Sequence, residues 1–480
     1  MIRRTLILAS IFLFSIFSLS ANSDTTKVVI LSVNDMHAKI DNFPRFKSLL
    51  DSIKQVYEHV LVFSAGDNFT GNPVVDQHPD KGYPIIDMMN YSNFNATAVG
   101  NHEFDYGQEV LEKRISQAGF PFLAANITFT NKEKTLRIQP YTFLNLKKGI
   151  RIGMLGLIQI NPAGLPDTHP SRLNGIKFTN GIEAAKDFLW MKDSCDVFVV
   201  LSHLGFEDDI VLAENTPGID LIIGGHTHTI VSDPKEYNGV LITQAGSNLR
   251  YVTMTTLCLV DKQLVNKSAQ LLKVSDHKGI DQGLQTFLEK YNDNKELNAV
   301  IGKALNDISG KDELGCLMTD GMAAVAPVEI AFQNNGGIRV DKIPQGDITI
   351  KDIYKLDPFG NEIVLFKLNA SEIKELIITS FNRDNSIDLQ VSGITYSIVQ
   401  NEAGQATDAI ITLCNGKPID VDKDYNVGMS SYIASSYEFS KRDQGTSLYI
   451  TTAQSLINFI KEKKEVDYKG FKRAKTEKAE

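Results

Sequence analysis

The 480-residue sequence has little cysteine. Its four thiols, Cys195, Cys258, Cys316 and Cys414, are widely scattered, and no two share a paired spacing. A zinc-finger or thiolate-cluster framework needs such pairs, so that class is excluded. An oxidising compartment permits a disulfide in a chain of this size without requiring one, and the state of the four thiols stays open. Positive charge is also short: 49 Lys and Arg stand against 58 Asp and Glu, a formal net charge of −9. A general binder of nucleic-acid polymers needs a basic face to displace counterions, so that function is excluded too. A small phosphorylated substrate stays open, because metal ions can supply positive charge locally. Beyond the first twenty-odd residues no apolar run is long enough to span a membrane. Internal repeats and low-complexity tracts are missing as well.

What is present begins with a distinct N-terminus. Arg3 and Arg4 precede an apolar run over residues 6–19, followed by the small residues Ser20 and Ala21. That is the order of a secretory signal peptide, expected over residues 1–21, with an uncleaved anchor helix as the alternative. The expected location is periplasmic or extracellular. The rest, 42% apolar and 22% charged, has globular composition.

From residue 27 to about 260 one theme recurs: a short, β-branched apolar run ends in a polar cluster. Residues 28–33 lead into Asn34-Asp35-Met36-His37, and 60–63 into Gly66-Asp67-Asn68. Residues 96–99 lead into Gly100-Asn101-His102-Glu103, 197–201 into Ser202-His203, and 221–223 into Gly224-Gly225-His226-Thr227-His228. Continuous apolar runs of this length suit strands buried on both faces. Ligands of α/β sheets gather outside the carboxyl ends of such strands, so five strands are expected to deliver polar residues to one rim. Helices are expected over 109–118 and 182–191, and further strands, antiparallel in pattern, near 239–246 and 251–260.

A polar stretch with helical character over 276–298 reads as a connector. A second α/β unit follows, with a helix over 314–325, a strand over 328–332 running into Asn334-Asn335-Gly336-Gly337-Ile338-Arg339, and a strand over 363–368. The next helix opens on Asn369 with Glu372 three residues on, close to a capping box. Asn415-Gly416 signals a hairpin, and the charged tail from Lys461 is expected to fray at its end.

The rim set is Asp35, His37, Asp67, Asn101, His102, His203, His226 and His228, which takes five of the nine histidines of the chain. A single histidine after a strand is usually structural. Five on one rim, joined by two carboxylates and an amide, suit zinc, manganese or iron and exclude an all-thiolate site. One catalytic zinc takes three protein ligands. The surplus here suits two divalent ions, with a carboxylate such as Asp67 shared between them.

These motifs, in this order, resemble those of calcineurin-like metallophosphoesterases. With Asn101-His102-Glu103-Phe104-Asp105 and Asn334-Asn335-Gly336-Gly337-Ile338-Arg339 they resemble the 5′-nucleotidase family, which includes bacterial UDP-sugar hydrolases and cyclic-nucleotide phosphodiesterases. The resemblance implies an α/β chain: a four-layer metallophosphoesterase β-sandwich flanked by helices, plus a second α/β substrate-binding domain. The boundaries it suggests are 22–275 for the first, 276–300 for the connector and 301–470 for the second.

The resemblance further implies that Asp35, His37 and His228 hold one metal and that Asn101, His203 and His226 hold the other, with Asp67 bridging. His102, oriented by Asp105, would sit beside the phosphoryl group as a catalytic pair, with plain structural support behind the ligands as the alternative. Asn334, Gly337, Arg339 and Tyr432 would bind substrate, Arg339 gripping phosphate oxygens with its planar fork. Asp357-Pro358-Phe359-Gly360-Asn361 also follows the family pattern. Relatives that bind nucleosides sandwich the base between two rings. Tyr432 fits one, but no aromatic stands near Leu389-Gln390-Val391, where the other is sought. Tyr437 or Phe439 can substitute from a shifted backbone; the alternative is that both are core residues.

The implied function is secreted, dinuclear-metal hydrolysis of nucleotides by attack of a metal-activated water on phosphorus. The alternative is the same chemistry on UDP-sugars, 2′,3′-cyclic nucleotides or other small phosphate esters. A binding protein that keeps a metal site without turnover is disfavoured, because every ligand position and the His102/Asp105 pair are intact. The expected partner is a small nucleotide or phosphate ester, with the oligomeric state open.

Overall fold

The computed structural model describes residues 25–130 and 136–478; the signal peptide expected over 1–21 lies outside them. The N-terminal half is built on two six-stranded sheets. In the first, Thr25–Val33, His59–Ser64, Ala96–Ala98 and Phe122–Leu123 run parallel in that order, and Tyr251–Val260 and Gln263–Lys273 extend it antiparallel beyond Thr25–Val33. In the second, Val240–Thr243, Leu221–Gly224, Val197–His203 and Arg151–Ile158 are parallel neighbours, with Glu236–Tyr237 and Tyr141–Asn145 at the edges.

Alternation along each strand sorts its apolar side chains between two faces. Val28, Ile30, Leu61 and Phe63 of the first sheet meet Ile152, Met154, Val199 and Ile223 of the second in one buried layer. The opposite faces are covered by helices. Val29, Leu31 and Val33 pack with Phe43, Phe46 and Leu50 of the helix Phe43–Lys54. Phe198, Val200 and Ile222 pack with Leu212 and Ala213 of the helix Phe206–Asn215. Helix, sheet, sheet and helix give four layers, as expected.

The connector stretch carries the helix Gln282–Asn292. Its Leu284 and Leu288 bury in the same cluster as Phe43 and Leu50, so this segment packs as part of the first core. The C-terminal half has a five-stranded sheet in the order Leu389–Ser392, Ile330–Asn334, Asp424–Ser430, Glu362–Asn369, Thr446–Thr451. The helix Ala370–Asp384 packs beside it and opens on a full capping box: Asn369 Oδ1 accepts from Glu372 N–H at 2.9 Å and Glu372 Oε2 from Asn369 N–H at 2.9 Å.

Three local expectations need correction. The helix expected over 182–191 is the short helix Gly181–Lys186 followed by a tighter 3₁₀ segment, Leu189–Ser194. The change of winding sets Phe188 and Trp190 against Tyr141 and buries Met191. The hairpin at Asn415-Gly416 forms, with Leu413 N–H bonded to the Lys417 carbonyl at 2.8 Å and Ile419 N–H to that of Ile411 at 3.1 Å, but its returning arm is shorter than expected and reaches only the Thr412–Pro418 bridge. The charged tail is ordered through its last described residues: Ala474–Lys478 runs parallel to Ile394–Gln400, and Arg473 is anchored beside it by Asp320 at 2.6 Å. Among the described residues no helix is long and apolar enough to cross a membrane.

Candidate active site

Each strand of the recurring theme ends where a tight backbone turn presents a polar side chain. Asp35, His37, Asp67, His226 and His228 all have left-handed backbone, with φ of 48°, 47°, 52°, 74° and 54°. Most side chains resist this conformation, while Asp, Asn and His tolerate it. Two glycines permit the close packing. A Cβ on Gly100 would stand 2.2 Å from Asp67 Oδ1, and one on Gly66 would stand 2.9 Å from His203 Nδ1.

The structure brings the expected ligands together. Asp35, His37 and His228 form one group whose donor atoms lie within 4.8 Å of one another, and Asp35, Asp67 and His203 form another. His228 Nε2 is 2.9 Å from His37 Nε2 and 3.4 Å from Asp35 Oδ1. His203 Nε2 is 3.2 Å from Asp67 Oδ2 and 3.3 Å from Asn101 Oδ1. The His226 ring lies against that of His203, with centroids 5.3 Å apart.

Hydrogen bonding at the far side of each ring tests whether a cation fits. His203 Nδ1 meets the carbonyl of Ala65 at 2.7 Å, and His37 Nδ1 meets that of Thr70 at 3.1 Å. A carbonyl only accepts, so each Nδ1 carries hydrogen, and in a neutral ring the Nε2 lone pair points into the cluster. His203 then offers a lone pair to two acceptors, Asp67 Oδ2 and Asn101 Oδ1, with no donor between them. Either a proton or a metal ion must fill that gap. Burial opposes a proton on His203, but the Asp67 carboxylate outweighs it and pushes the pKa up to about 10. At His37, burial followed by the charge of Arg339 drives the pKa well down, which leaves a neutral ligand. A set of carboxylate, imidazole and amide donors facing a common centre fits divalent cations.

His102 sits beside this cluster. Its Nδ1 donates to Asp105 Oδ2 at 2.6 Å, and Thr168 Oγ1 fixes Asp105 by donating to Oδ1 at 2.8 Å. Its Nε2 is 3.9 Å from Asp67 Oδ2.

Glu103, given no role in the sequence reading, is fully buried. Its carboxylate accepts the backbone N–H groups of Asp67 at 3.0 Å, Asn68 at 2.7 Å and Gly100 at 2.6 Å. It therefore ties the loops after the second and third strands to each other. Burial, with the charge of Asp67 beside it, pushes its pKa up to about 7. Its place next to His102 in the motif was visible; its partners were not.

The C-terminal half closes over the rim. Arg339 Nη2 comes within 3.3 Å of His37 Nε2, and the Phe359 ring stacks on His102 at 5.7 Å. Between the halves lies a cavity of about 540 Å³ lined by Asp67, Asn101, His102, His226 and His228 on one side. Asn334, Gly337, Arg339 and Tyr432, the four expected substrate contacts, line it from the other.

The aromatic sought near Leu389-Gln390-Val391 is not there. That segment is the strand Leu389–Ser392, paired antiparallel to Ile330–Asn334, with Leu389 and Val391 in the core. The cavity receives Phe359 instead, from the turn over 357–361. The signal was in the Asp357-Pro358-Phe359-Gly360-Asn361 motif. Tyr437 follows the core reading, since it is 7% exposed and packs in the core, although it also reaches the cavity lining. Phe439 packs on that core and is not among the lining residues.

Comparison with known proteins agrees with this geometry. Residues 28–229 match the model of calcineurin-like phosphoesterases, and residues 299–439 match that of the 5′-nucleotidase C-terminal domain. The trifunctional nucleotide phosphoesterase of Bacillus subtilis is 25% identical over 468 residues, covering 85% of this chain and 32% of the relative, so the chain spans about a third of that protein's length. A 5′-nucleotidase of Vibrio parahaemolyticus is 27% identical over 487 residues, covering 86% of this chain and 85% of the relative. In fold, the crystal structure of a 5′-nucleotidase precursor from Thermus thermophilus superposes with a TM-score of 0.83 at 24% identity, covering 94% of this chain and 99% of that one.

Proposed function

A chain that joins these two domains belongs to the 5′-nucleotidase family of metal-dependent phosphoesterases, and from that premise we propose that it hydrolyses nucleotides at a two-metal centre. The observation that carries the proposal is the convergence of two sets of residues on one cavity. Asp67, Asn101, His226 and His228 line it from the first domain, with Asp35, His37 and His203 clustered against them, and Arg339, Phe359 and Tyr432 line it from the second. Cavities of this size and mixed lining suit a small organic ligand.

Asp35, His37 and His228 would hold one divalent ion and Asn101, His203 and His226 the other, with Asp67 shared. Such a pair supplies charge to phosphoryl oxygens and lowers the pKa of water. The remaining steps belong to the chain's own side chains. The Arg339 guanidinium is placed to bond the non-bridging phosphate oxygens in pairs. His102, with Nδ1 committed to Asp105, presents Nε2 to the cavity, where it can bond the phosphoryl group or protonate the leaving oxygen. Phe359 covers the face of His102 and keeps water from it. Tyr432 offers its ring to the base. The pattern over residues 1–21 supports action outside the cytoplasm.

The test is a substrate panel with chelator-treated protein reloaded with manganese or zinc. Nucleoside 5′-monophosphates are expected among the fastest substrates, with loss of activity in the chelated protein and recovery on reloading. Sugar phosphates or UDP-sugars outrunning every nucleotide would overturn the nucleotide reading.

A further inference from the structure

The second domain brings to the cavity a cation that phosphate binding does not use. Arg383 lies in the last turn of the helix Ala370–Asp384 and lines the cavity with Asp384, Asp388, Tyr432 and Tyr437. Its guanidinium lies over the Tyr437 ring, with Cζ 4.3 Å from the centroid, within cation–π range. Tyr437 is anchored from beneath: its hydroxyl donates to Asp388 Oδ2, while Asp388 Oδ1 accepts the Asn335 N–H at 3.0 Å. The same guanidinium acts on the Tyr432 hydroxyl.

Arg442 and Arg473, in the same half, are held in ion pairs with Glu372 and Asp320. Among the described residues Arg383 has no such carboxylate partner. Apart from the hydrogen bond to the Tyr432 hydroxyl, no ion pair takes up its donors, which lie on the Tyr437 ring next to Tyr432.

Two occupants would suit a free guanidinium, a second phosphate or the acceptor edge of a base. The charges nearby decide between them. Asp167, Asp384 and Asp388 line the same cavity. Asp388 and Asp167 both act on the Arg383 charge, and two carboxylates beside one guanidinium repel a further dianion. They suit a neutral ring that carries both acceptors and N–H donors. A guanidinium only donates, in a planar fork, so it is satisfied by two acceptors side by side. The O6/N7 edge of a 6-oxopurine is such a pair; adenine puts an amino group where O6 would be, so one N–H would face another donor.

We propose that Arg383 is a specificity-determining residue that selects 6-oxopurine nucleotides, those of guanine and hypoxanthine, over adenine nucleotides. This rests on the nucleotide reading above.

IMP and AMP differ at the edge in question, so the experiment is their kcat/KM ratio for metal-loaded wild type, Arg383→Gln and Arg383→Lys. Wild type is expected to favour IMP and GMP over AMP about tenfold, chiefly in KM, and both variants to bring the ratio within about twofold of unity. Equal use of AMP and IMP by wild type, which requires no variant to fold, would overturn the proposal, as would a ratio unchanged in Arg383→Gln. So would a preference for a nucleoside 3′,5′-bisphosphate lost in that variant, which would assign Arg383 to phosphate. Turnover of phosphate esters with none on any nucleotide would instead remove the premise, and the proposal with it.

Discussion

The two walls of the cavity are built on opposite plans. On the first, the seven proposed ligands leave the ends of five parallel strands, and the loops that carry them are bonded to one another. Glu103 alone holds three backbone N–H groups on two loops, and Asn34 ties its own loop to Ala245 and Gly246 at 2.7 and 2.6 Å. On the second wall the lining residues come from the loop after the strand Ile330–Asn334, a helix end, a turn and the short helix Ser431–Ser436. These pieces are joined by scattered single bonds, Ser431 Oγ to Asn361 Oδ1 at 3.1 Å and Asn335 N–H to Asp388 Oδ1 at 3.0 Å among them, and stacking of Phe359 on His102 and of Arg383 on Tyr437 adds to the positioning. A wall that holds ions must fix several donors at once, so changing one member disturbs the rest. A wall that reads a substrate through separate contacts can exchange them singly. The absence of an aromatic near Leu389 and the presence of Phe359 and Arg383 are of that second kind.

The contrast can be broken or sharpened by three substitutions. Asp67→Asn strikes the proposed shared ligand, and kcat is expected to fall on the order of 10³-fold or more on every ester, including p-nitrophenyl phosphate. A loss confined to nucleotides would mean that the first wall does not carry the chemistry. Glu103→Ala removes no proposed ligand side chain but leaves three buried backbone donors unpaired, that of Asp67 among them. An expected cost of about 3–5 kcal/mol in unfolding free energy follows, with metal affinity lowered roughly 10- to 100-fold by titration. Unchanged metal affinity would show that the loops are held by something else. Tyr432→Ala should give the smallest effect, raising KM for nucleotides about tenfold more than KM for p-nitrophenyl phosphate. An equal rise for both would place Tyr432 outside base recognition.

The same contrast explains how much was legible in the sequence. A buried strand followed at once by Asp, Asn or His is a local pattern, and local patterns gave all seven proposed ligands, the His102/Asp105 pair and the four-layer arrangement. What was missed depends on contacts between distant segments. Phe359 stood in a visible motif, but its entry into the cavity is set by packing against His102, more than 250 residues earlier in the chain. Glu103 looked like any acidic residue until its three backbone partners were seen. The charged tail from Lys461 was expected to fray at its end, yet the strand Ala474–Lys478 is fixed by pairing with Ile394–Gln400 and by the Arg473–Asp320 bridge. Charge along a segment predicts solvation, and an edge strand can be solvated and ordered together.

The left-handed backbone at Asp35, His37, Asp67, His226 and His228 has a consequence for how this rim can drift under mutation. A codon change to Val or Ile there removes the donor and also forces a side chain into a conformation it resists. Asn and Gly keep the turn, and Asn also keeps a donor oxygen. The backbone and the proposed cation site would thus accept nearly the same short alphabet, for unrelated reasons, and five of the seven proposed positions would be screened twice.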